Sequence, residues 1–230
     1  MTRKPPRGLF VTGTNTGVGK TYVAALIART LTAAGRRVGV YKPAASGCHR
    51  RQDTLVSDDA VALWEAAGRP GELDRVCPQR FQAPLAPHLA AREEGKELDR
   101  RLLSSGIDYW RPRSDVILVE GAGGLMSPLA DDLYVADLAC EWGFPLVVVA
   151  ENVLGTINQT LQTLIAASSF RTGLAVAGIV LNHPRSLSND PSTATNCREL
   201  AARSTAPILA EVGHQANRFD VDVNWFELAG

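Results

Sequence analysis

Short apolar runs alternate along this chain with segments in which apolar residues recur every three or four positions. The apolar runs predict buried strands at residues 9–12, 37–41, 115–119, 146–150, 176–181 and 207–210. The helical spacing predicts helices at residues 21–34, 58–67, 89–94, 98–107, 133–142, 157–167 and 193–202. Continuous apolar strands that alternate with amphipathic helices are typical of a parallel sheet covered on both faces. We therefore predict an α/β fold, in which a single domain carries a doubly wound, mostly parallel sheet with helices on both faces.

One long segment, residues 69–87, interrupts this alternation. It contains four prolines and shows no sustained periodicity, so we predict a long loop over the surface. In a doubly wound fold, ligands bind at the carboxyl ends of the strands. The residues that directly follow the predicted strands are therefore the candidates for a functional site.

Composition narrows the possible partners. The 230 residues suit one domain, which we expect to extend over residues 1–230 with a flexible leader at residues 1–7. The 24 Lys and Arg residues balance the 24 Asp and Glu residues, so there is no general basic field for a nucleic acid or an anionic membrane. No apolar run approaches the roughly 18 residues of a spanning helix, and the leader has no apolar signal core. We expect a cytoplasmic protein with neither nucleic acid nor membrane as a partner.

The first predicted strand leads into Gly13-Thr-Asn-Thr-Gly-Val-Gly-Lys-Thr21, and a predicted helix follows. Gly17 and Gly19 allow backbone N–H groups to close around phosphate oxygens, because glycine tolerates the required dihedral angles. Lys20 would neutralise the β and γ phosphates, and Thr21 offers a hydroxyl to Mg2+. This order of strand, loop, Lys-Thr and helix predicts a phosphate-binding P-loop.

The spacing of the loop departs from the usual P-loop pattern by one residue. Four residues normally separate the first glycine from the Gly-Lys-Thr; that first position is Thr14 in this chain, and Gly13 comes one position earlier. The alternative is a glycine-rich turn without a ligand. A P-loop alone does not distinguish a kinase, a motor, a switch protein and a ligase.

Polar residues at other strand ends are further candidates. Lys42 and Ser46 follow the second strand, where they would face the phosphates or else form a solvated turn after Pro43. Asp59 opens a helix, where a carboxylate also serves as a cap. Glu120 ends a buried strand before a glycine run, a position that favours a ligand of Mg2+ bound to a triphosphate.

Two asparagines allow either a ligand contact or a structural role. Asn158 lies near the start of a helix, whose free N–H groups attract an anion, and Asn182 closes a strand from which it could read a base edge. Each could equally be a cap or turn residue. We assign no acid-base or metal role to the histidines, and the scattered cysteines without a C-x-x-C pair predict neither a zinc site nor a redox dithiol.

Four ordered motifs closely resemble those of the dethiobiotin synthetase family. They are the P-loop, Tyr41-Lys-Pro-Ala-Ala-Ser-Gly47, Glu120-Gly-Ala-Gly-Gly124 and Leu154-Gly-Thr-Ile-Asn158. The resemblance extends nearly from end to end, and the family's P-loop is similarly spaced. It implies a P-loop NTPase fold and a cytoplasmic homodimer. It also implies an ATP-dependent, Mg2+-dependent cyclo-ligase that closes a ureido ring on 7,8-diaminononanoate with CO2, giving dethiobiotin, ADP and phosphate.

The resemblance also implies a role for particular residues. Lys20 and Lys42 would be catalytic, and Thr21, Asp59 and Glu120 would hold Mg2+. The nucleotide-binding residues would be Gly17, Val18, Gly19, Lys20, Thr21, Tyr22, Asp59, Glu120, Gly121, Ala122, Gly123, Asn182, His183, Gly213, His214 and Gln215, with Asn182 contacting adenine. The substrate-binding residues would be Ser46 at the diamine end and Gly155, Thr156, Ile157 and Asn158 at the carboxylate. Residues 182–195 would lie near the dimer interface.

The chain departs from the family pattern at a few positions. Gly17 stands where family members often have a carboxylate, and Gln159 stands where histidine is common. The tyrosine that a partner subunit often contributes to the substrate carboxylate has no evident equivalent, and Asn196 aligns there only roughly. Three other classes remain possible at this point: a partitioning-type switch ATPase, another ATP-dependent amide- or ring-forming ligase, and a small-molecule kinase.

Overall fold

The structure is a computed structural model that describes residues 7–186 and 190–230. The predicted leader lies outside these residues except for Arg7. That residue begins the first strand. Residues 187–189, within the stretch predicted near the dimer interface, also lie outside.

The described residues form one six-stranded parallel sheet with helices around it, and two-stranded ribbons flank it. The strands are β1 (Arg7–Gly13), β2 (Val38–Tyr41), β3 (Ala44–Ala45), β4 (His49–Arg51), β5 (Thr54–Val56), β6 (Gln79–Arg80), β7 (Val116–Gly124), β8 (Pro128–Ala130), β9 (Leu133–Tyr134), β10 (Leu146–Glu151), β11 (Val176–Asn182) and β12 (Ile208–Val212). The helices are α1 (Lys20–Ala33), α2 (Asp58–Ala66), α3 (Leu73–Val76), α4 (Pro87–Glu93), α5 (Arg100–Ser105), a 3-10 helix (Gly106–Tyr109), α6 (Val135–Trp142), α7 (Thr156–Ser169), α8 (Thr193–Arg203) and α9 (Trp225–Leu228).

The order of strands in the central sheet is β12-β11-β10-β1-β7-β2. β1 lies inside the sheet, where Phe10 is opposite Leu146 of β10 and Val119 of β7. At its carboxyl end Gly13 is opposite Gly124. The apolar run that predicted β1 is completely buried because both faces of the sheet are covered. This register aligns the carboxyl ends of β1, β7 and β10, so the segments that follow them meet at one edge. The predicted single-domain α/β fold is confirmed.

Residues 69–87 are not the surface loop that the prolines predict. They contain α3 and β6, and β6 pairs with β3 in parallel. Val76, Cys77 and Phe81 are buried, and the Val76 carbonyl accepts a hydrogen bond of 2.7 Å from the Lys42 backbone N–H. The elements between the prolines are too short for a periodic pattern to reveal them.

Two predicted helices begin later than expected because local caps define their starts. The helix predicted from residue 98 begins at Arg100, after the Asp99 carboxylate accepts a 2.9 Å hydrogen bond from the Leu102 N–H. The helix predicted from residue 133 begins at Val135, since the two preceding residues pair with β8 and the Tyr134 backbone N–H donates a 2.8 Å hydrogen bond to the Asp137 carboxylate. None of the helices in the described residues is both long and apolar enough to cross a bilayer.

Candidate active site

The loop between β1 and α1 has the conformation of a phosphate cradle. Gly17 and Gly19 have φ angles of 80° and 92°, in the left-handed region that favours glycine. A Cβ on Gly19 would lie 2.0 Å from Asn182 Nδ2, and this amide donates a 2.8 Å hydrogen bond to the Val18 carbonyl. Gly19 is therefore required both by the backbone angle and by the close approach of β11.

Lys20 is the first residue of α1 and is buried beneath this loop. Its Nζ donates a 3.0 Å hydrogen bond to the Asn15 carbonyl, which holds the side chain back across the loop. Burial lowers the pKa of Lys20 below its ordinary value, although the negative charge of Glu120 offsets part of the effect. An anion beside Lys20 would stabilise its cationic form, as a phosphate group would.

A compact charge cluster lies next to the loop, at the ends of β2 and β7 and the start of α2. The Glu120 side chain is 1% exposed, and its Oε1 accepts hydrogen bonds from Lys42 Nζ at 2.6 Å and from Thr21 Oγ1 at 2.8 Å. Lys42 Nζ also lies 2.7 Å from Asp59 Oδ2. The cluster thus links one buried cation to two carboxylates and to the first turn of α1.

The cluster keeps Lys42 and Asp59 ionised. Burial alone would lower the pKa of Lys42, but Glu120 and Asp59 outweigh it and hold this pKa above its ordinary value. Burial would likewise raise the pKa of Asp59, yet Lys42 holds it below the usual range. Lys42 is therefore a fixed positive charge that is positioned from both sides.

The oxygen donors in this cluster fit a magnesium ion that is shared with phosphates. Glu120 Oε2 is buried and has no hydrogen-bond partner among the described residues. The carboxylate of Asp59 contacts Lys42, and the hydroxyl of Thr21 contacts Glu120, so both add oxygen atoms to this cluster. Within residues 7–186 and 190–230 there is no cluster of three or more His, Cys, Asp and Glu that would cage a metal. Mg2+ is commonly bound by one or two carboxylates together with water and substrate phosphates.

A single cavity of about 920 Å³ brings most of the predicted site together. The predicted residues in its walls are Gly17, Gly19, Lys20, Thr21, Tyr22, Lys42, Ser46, Asp59, Glu120, Ala122 and Gly123. Val18 and Gly121 are buried beneath this surface. Thr16 also lines the cavity, although sequence reasoning did not single it out. Its place inside the glycine motif is the signal that could have found it.

Asn182, which is predicted to contact adenine, does not line this cavity, and neither do the predicted nucleotide-binding residues His183, Gly213, His214 and Gln215. Tyr22 OH donates a 2.6 Å hydrogen bond to the Ala216 carbonyl, which ties α1 to the loop containing Gly213, His214 and Gln215. His183 Nε2 lies 3.2 Å from Asn152 Nδ2. Asn182 is buried, and its amide nitrogen donates a hydrogen bond to the P-loop at the Val18 carbonyl. This bracing contact was not predicted from the sequence. The contact between Asn182 and adenine stays a prediction.

The predicted carboxylate site at the start of α7 does not line the 920 Å³ cavity. Gly155 and Asn158 are exposed, Ile157 is half-buried, and Thr156 is buried with an Oγ1 that has no partner among the described residues. The next residue, Gln159, lines a separate cavity of about 540 Å³ with Thr14, Asn15 and Gly124. Within one chain, Ser46 thus lines the 920 Å³ cavity and the residues predicted at the carboxylate do not, so their joint role stays a prediction.

Asn196 is not available to a substrate. It is 2% exposed, and its Nδ2 lies 2.8 Å from Asn152 Oδ1, 3.2 Å from the Val153 carbonyl and 3.3 Å from Ser192 Oγ. These contacts hold α8 against the segment that precedes α7. The rough alignment of Asn196 with the family's tyrosine therefore gives no substrate contact.

Comparison with solved structures supports the fold alone. The septum site-determining protein MinD from Pyrococcus horikoshii, complexed with Mg-ADP, superposes with a TM-score of 0.52 at 18% identity, covering 91% of this chain and 82% of MinD. The signal recognition particle receptor FtsY from Elizabethkingia anophelis, in complex with GDP, gives a TM-score of 0.54 at 15% identity. That match covers 100% of this chain and 64% of FtsY.

Comparison of sequences identifies the family. A family model described as an AAA domain matches residues 7–217. The ATP-dependent dethiobiotin synthetase of Rhodopirellula baltica is 44% identical over 214 residues, which cover 88% of this chain and 82% of that protein. The enzyme of the same name from Anaeromyxobacter dehalogenans strain 2CP-1 is 46% identical over 195 residues, covering 85% of this chain and 84% of its own. The chain belongs to the ATP-dependent dethiobiotin synthetase family.

Proposed function

We propose that this protein closes the ureido ring of dethiobiotin, using 7,8-diaminononanoate, CO2 and ATP. The observation that carries the proposal is the position of Lys42, a second buried cation that shares one cavity with the P-loop lysine. A switch ATPase of the partitioning type has no evident use for Lys42 together with Ser46. A reaction that joins two anions needs such a pair of cations.

The proposed chemistry begins with a carbamate. One substrate amine attacks CO2, forming an N–C bond and releasing a proton. A carbamate oxygen then attacks the γ-phosphorus as the bond to ADP breaks, which gives a carbamic-phosphoric anhydride. The second amine attacks the carbonyl carbon, expels phosphate and loses a proton, so the ring closes without an added acid or base from a histidine.

Lys20 and Lys42 would lower the main electrostatic obstacle, because a carbamate and a γ-phosphate repel each other at close range. Lys42 is held in place by Glu120 and Asp59, so it need not reorganise when the negative charges meet. A Mg2+ held by Thr21, Asp59 and Glu120 would neutralise phosphate charge when bound. Holding the reacting groups in position beside fixed charges would supply most of the rate enhancement.

The proposed nucleotide site follows from the P-loop outward. The backbone N–H groups of residues 17–20 would surround the phosphates, and the positive end of α1 adds to their attraction. The base would lie towards Asn182, His183 and the loop of Gly213, His214 and Gln215. The hydrogen bond from Tyr22 to Ala216 supports this direction, because it brings that loop against the first turn of α1.

Substrate binding is proposed to use two separate regions. Ser46 lines the cavity near Lys42 and offers a hydroxyl to the diamine end. The start of α7, at Gly155, Thr156, Ile157 and Asn158, offers free N–H groups to the carboxylate. Since these two regions do not share a cavity in one chain, the tail site would be completed in an assembly.

A homodimer is the assembly that we propose. Leu154 before α7 is 81% exposed, Ile165 on α7 is 64% exposed, and Met126, which lines the adjacent 540 Å³ cavity, is 43% exposed. An apolar surface beside a binding site favours a protein interface. A second copy on this face would bury these side chains and place another α7 start near the first P-loop.

The decisive assay combines the protein with ATP, Mg2+, the diamine and carbon-13 bicarbonate. We expect ADP release that depends on both the diamine and bicarbonate, and dethiobiotin that carries the label in its ring carbonyl. Mass spectrometry of the product and a coupled ADP assay give the two measurements. ADP release that is independent of the diamine, without labelled dethiobiotin, would overturn the proposal in favour of a switch ATPase.

A further inference from the structure

A second cleft lies at the opposite edge of the sheet, where β2 and β7 begin. It has a volume of about 400 Å³, and Val38, Ala67, Trp110 and three arginines are among its lining residues. The strand β2 separates Val38 from Lys42 by about 13 Å at roughly 3.3 Å per residue. None of the residues in the proposed reaction lines this cleft, so that reaction does not explain its chemistry.

Two of the arginines are positioned by aromatic rings rather than by carboxylates. The Arg36 guanidinium lies 3.9 Å from the centroid of the Phe226 ring. The Arg113 guanidinium lies 4.1 Å from the Tyr109 ring centroid and donates a 2.8 Å hydrogen bond to the Tyr109 carbonyl. In residues 7–186 and 190–230, neither arginine has a carboxylate partner. Stacking fixes the planar group and leaves hydrogen-bond donors for another anion.

The third arginine is paired, so the cleft keeps an excess of positive charge. Arg37 forms an ion pair with Asp115, in which its Nε lies 3.1 Å from Oδ2. Three guanidinium groups therefore line the cleft, and the Asp115 carboxylate neutralises one of them, that of Arg37. The positive charge of this cleft contrasts with the zero net charge of the whole chain.

Trp110 lines the cleft with its indole ring. Its side chain is 1% exposed and lines the cleft, and its Nε1 is buried without an acceptor among the residues described. The indole nitrogens of Trp142 and Trp225 are likewise buried without an acceptor among the described residues, so Trp110 contributes its ring rather than a donor to the cleft. Ser114, another buried lining residue, adds a hydroxyl, while Val38 and Ala67 provide apolar walls.

We propose that this cleft binds a small organic anion, in which a phosphate or carboxylate is attached to an apolar body. Guanidinium groups match the planar or tetrahedral oxygens of such anions, and the Ser114 hydroxyl adds a neutral donor. The volume is in the lower part of the range for small-molecule sites, which suits a ligand of one ring or a short chain. The cleft is thus a second ligand site, separate from the nucleotide cavity.

The test follows the indole N–H signal of Trp110 by NMR. The nitrogen-15-labelled protein has four tryptophans, and Trp110→Phe identifies the Trp110 signal. Mg2+ and ADP are kept saturating so that the probes do not enter the P-loop. The probes are phenyl phosphate, benzoate and uncharged phenol. We expect a saturable shift of the Trp110 signal with at least one anion and none with phenol, and the two anions distinguish a phosphate site from a carboxylate site.

Matched variants separate this cleft from general charge effects. Arg36→Gln with Arg113→Gln should weaken the response by about tenfold or more. Arg101→Gln with Arg198→Gln removes the same charge from exposed positions outside the cleft and should leave the response intact. No saturable shift with either anion, an equal shift with phenol, or a response unchanged in the first variant would overturn the proposal. If Trp110→Phe does not fold, triple-resonance assignment identifies the signal in the unaltered chain.

Discussion

At the residue scale, the arrangement around Lys42 explains how a lysine remains charged inside the protein. Burial favours the neutral amine, and the two carboxylates reverse that preference. Breaking a buried ion cluster by removing one partner leaves the others uncompensated, so each member affects both stability and function. Variants at this cluster therefore need a folding measurement beside every activity measurement.

Lys42→Ala should retain ATP binding and lose ring closure. The P-loop remains, but the carbamate and the γ-phosphate lose one of their two cations, so we expect turnover to fall by about a hundredfold or more. Calorimetric titration with ATP and the labelled-product assay measure the two effects. The control is Lys96→Ala, which removes an exposed lysine that pairs with Glu94. Turnover close to that of the control would remove Lys42 from the mechanism.

Glu120→Gln should change the response to Mg2+ while conserving the size of the side chain. The amide retains one oxygen but loses the charge that would attract the ion and hold Lys42. We expect the Mg2+ concentration for half-maximal turnover to rise by about tenfold or more. Glu93→Gln, an exposed position outside the cavity, is the matched control. An unchanged Mg2+ requirement in a folded variant contradicts the proposed ligand role.

At the scale of elements, the site depends on how β11 braces the P-loop. The sequence motif predicted the glycines of this loop, and the aligned strand ends explain why Lys42 and Glu120 meet it. The motif could not show that the Asn182 amide fills the space above Gly19, because this contact joins residues that are 163 positions apart in sequence. Such long-range packing leaves no periodic signal, and the same reason hides α3 and β6.

Gly19→Ala should disable nucleotide binding by a clash as well as by backbone strain. A left-handed φ alone costs alanine about 1–2 kcal/mol. Here the new Cβ would also lie 2.0 Å from Asn182 Nδ2. Gly143→Ala is the control, because Gly143 has a φ of 65° but no atom near its Cβ position. Thermal unfolding and ATP titration should show a larger loss for Gly19→Ala.

The same clash gives a second, independent measurement. Asn182→Ala removes the obstructing amide, so the double variant with Gly19→Ala should lose less stability than the sum of the single losses. Strict additivity of the two changes would contradict a direct contact between Gly19 and Asn182.

At the scale of the whole molecule, the role of Asp59 was implied by the family resemblance alone, whereas sequence patterns predicted the sheet, the glycine loop and the carboxylate of Glu120 at a strand end. They did so because each depends on a local run or on the shared direction of parallel strands. The relation of the α7 start to Ser46 could not be predicted in this way, since the two regions lie on different elements and line different surfaces. The cleft containing Trp110 and Arg113 likewise arises only when distant segments pack together.

The proposed dimer gives a prediction for the whole assembly. Ile165→Asp introduces a charge at a 64% exposed apolar position on α7, so it should leave the fold intact and weaken association. Val221→Asp makes the same change at a 51% exposed position outside α7 and should leave the dimer unaffected. Sedimentation velocity over a range of concentrations measures the monomer–dimer equilibrium.

If the two copies complete the carboxylate site, monomeric Ile165→Asp should also show a raised KM for the diamine with an unchanged affinity for ATP. A wild-type protein that stays monomeric, or an Ile165→Asp variant that dimerises as well as Val221→Asp, would exclude this surface as the interface.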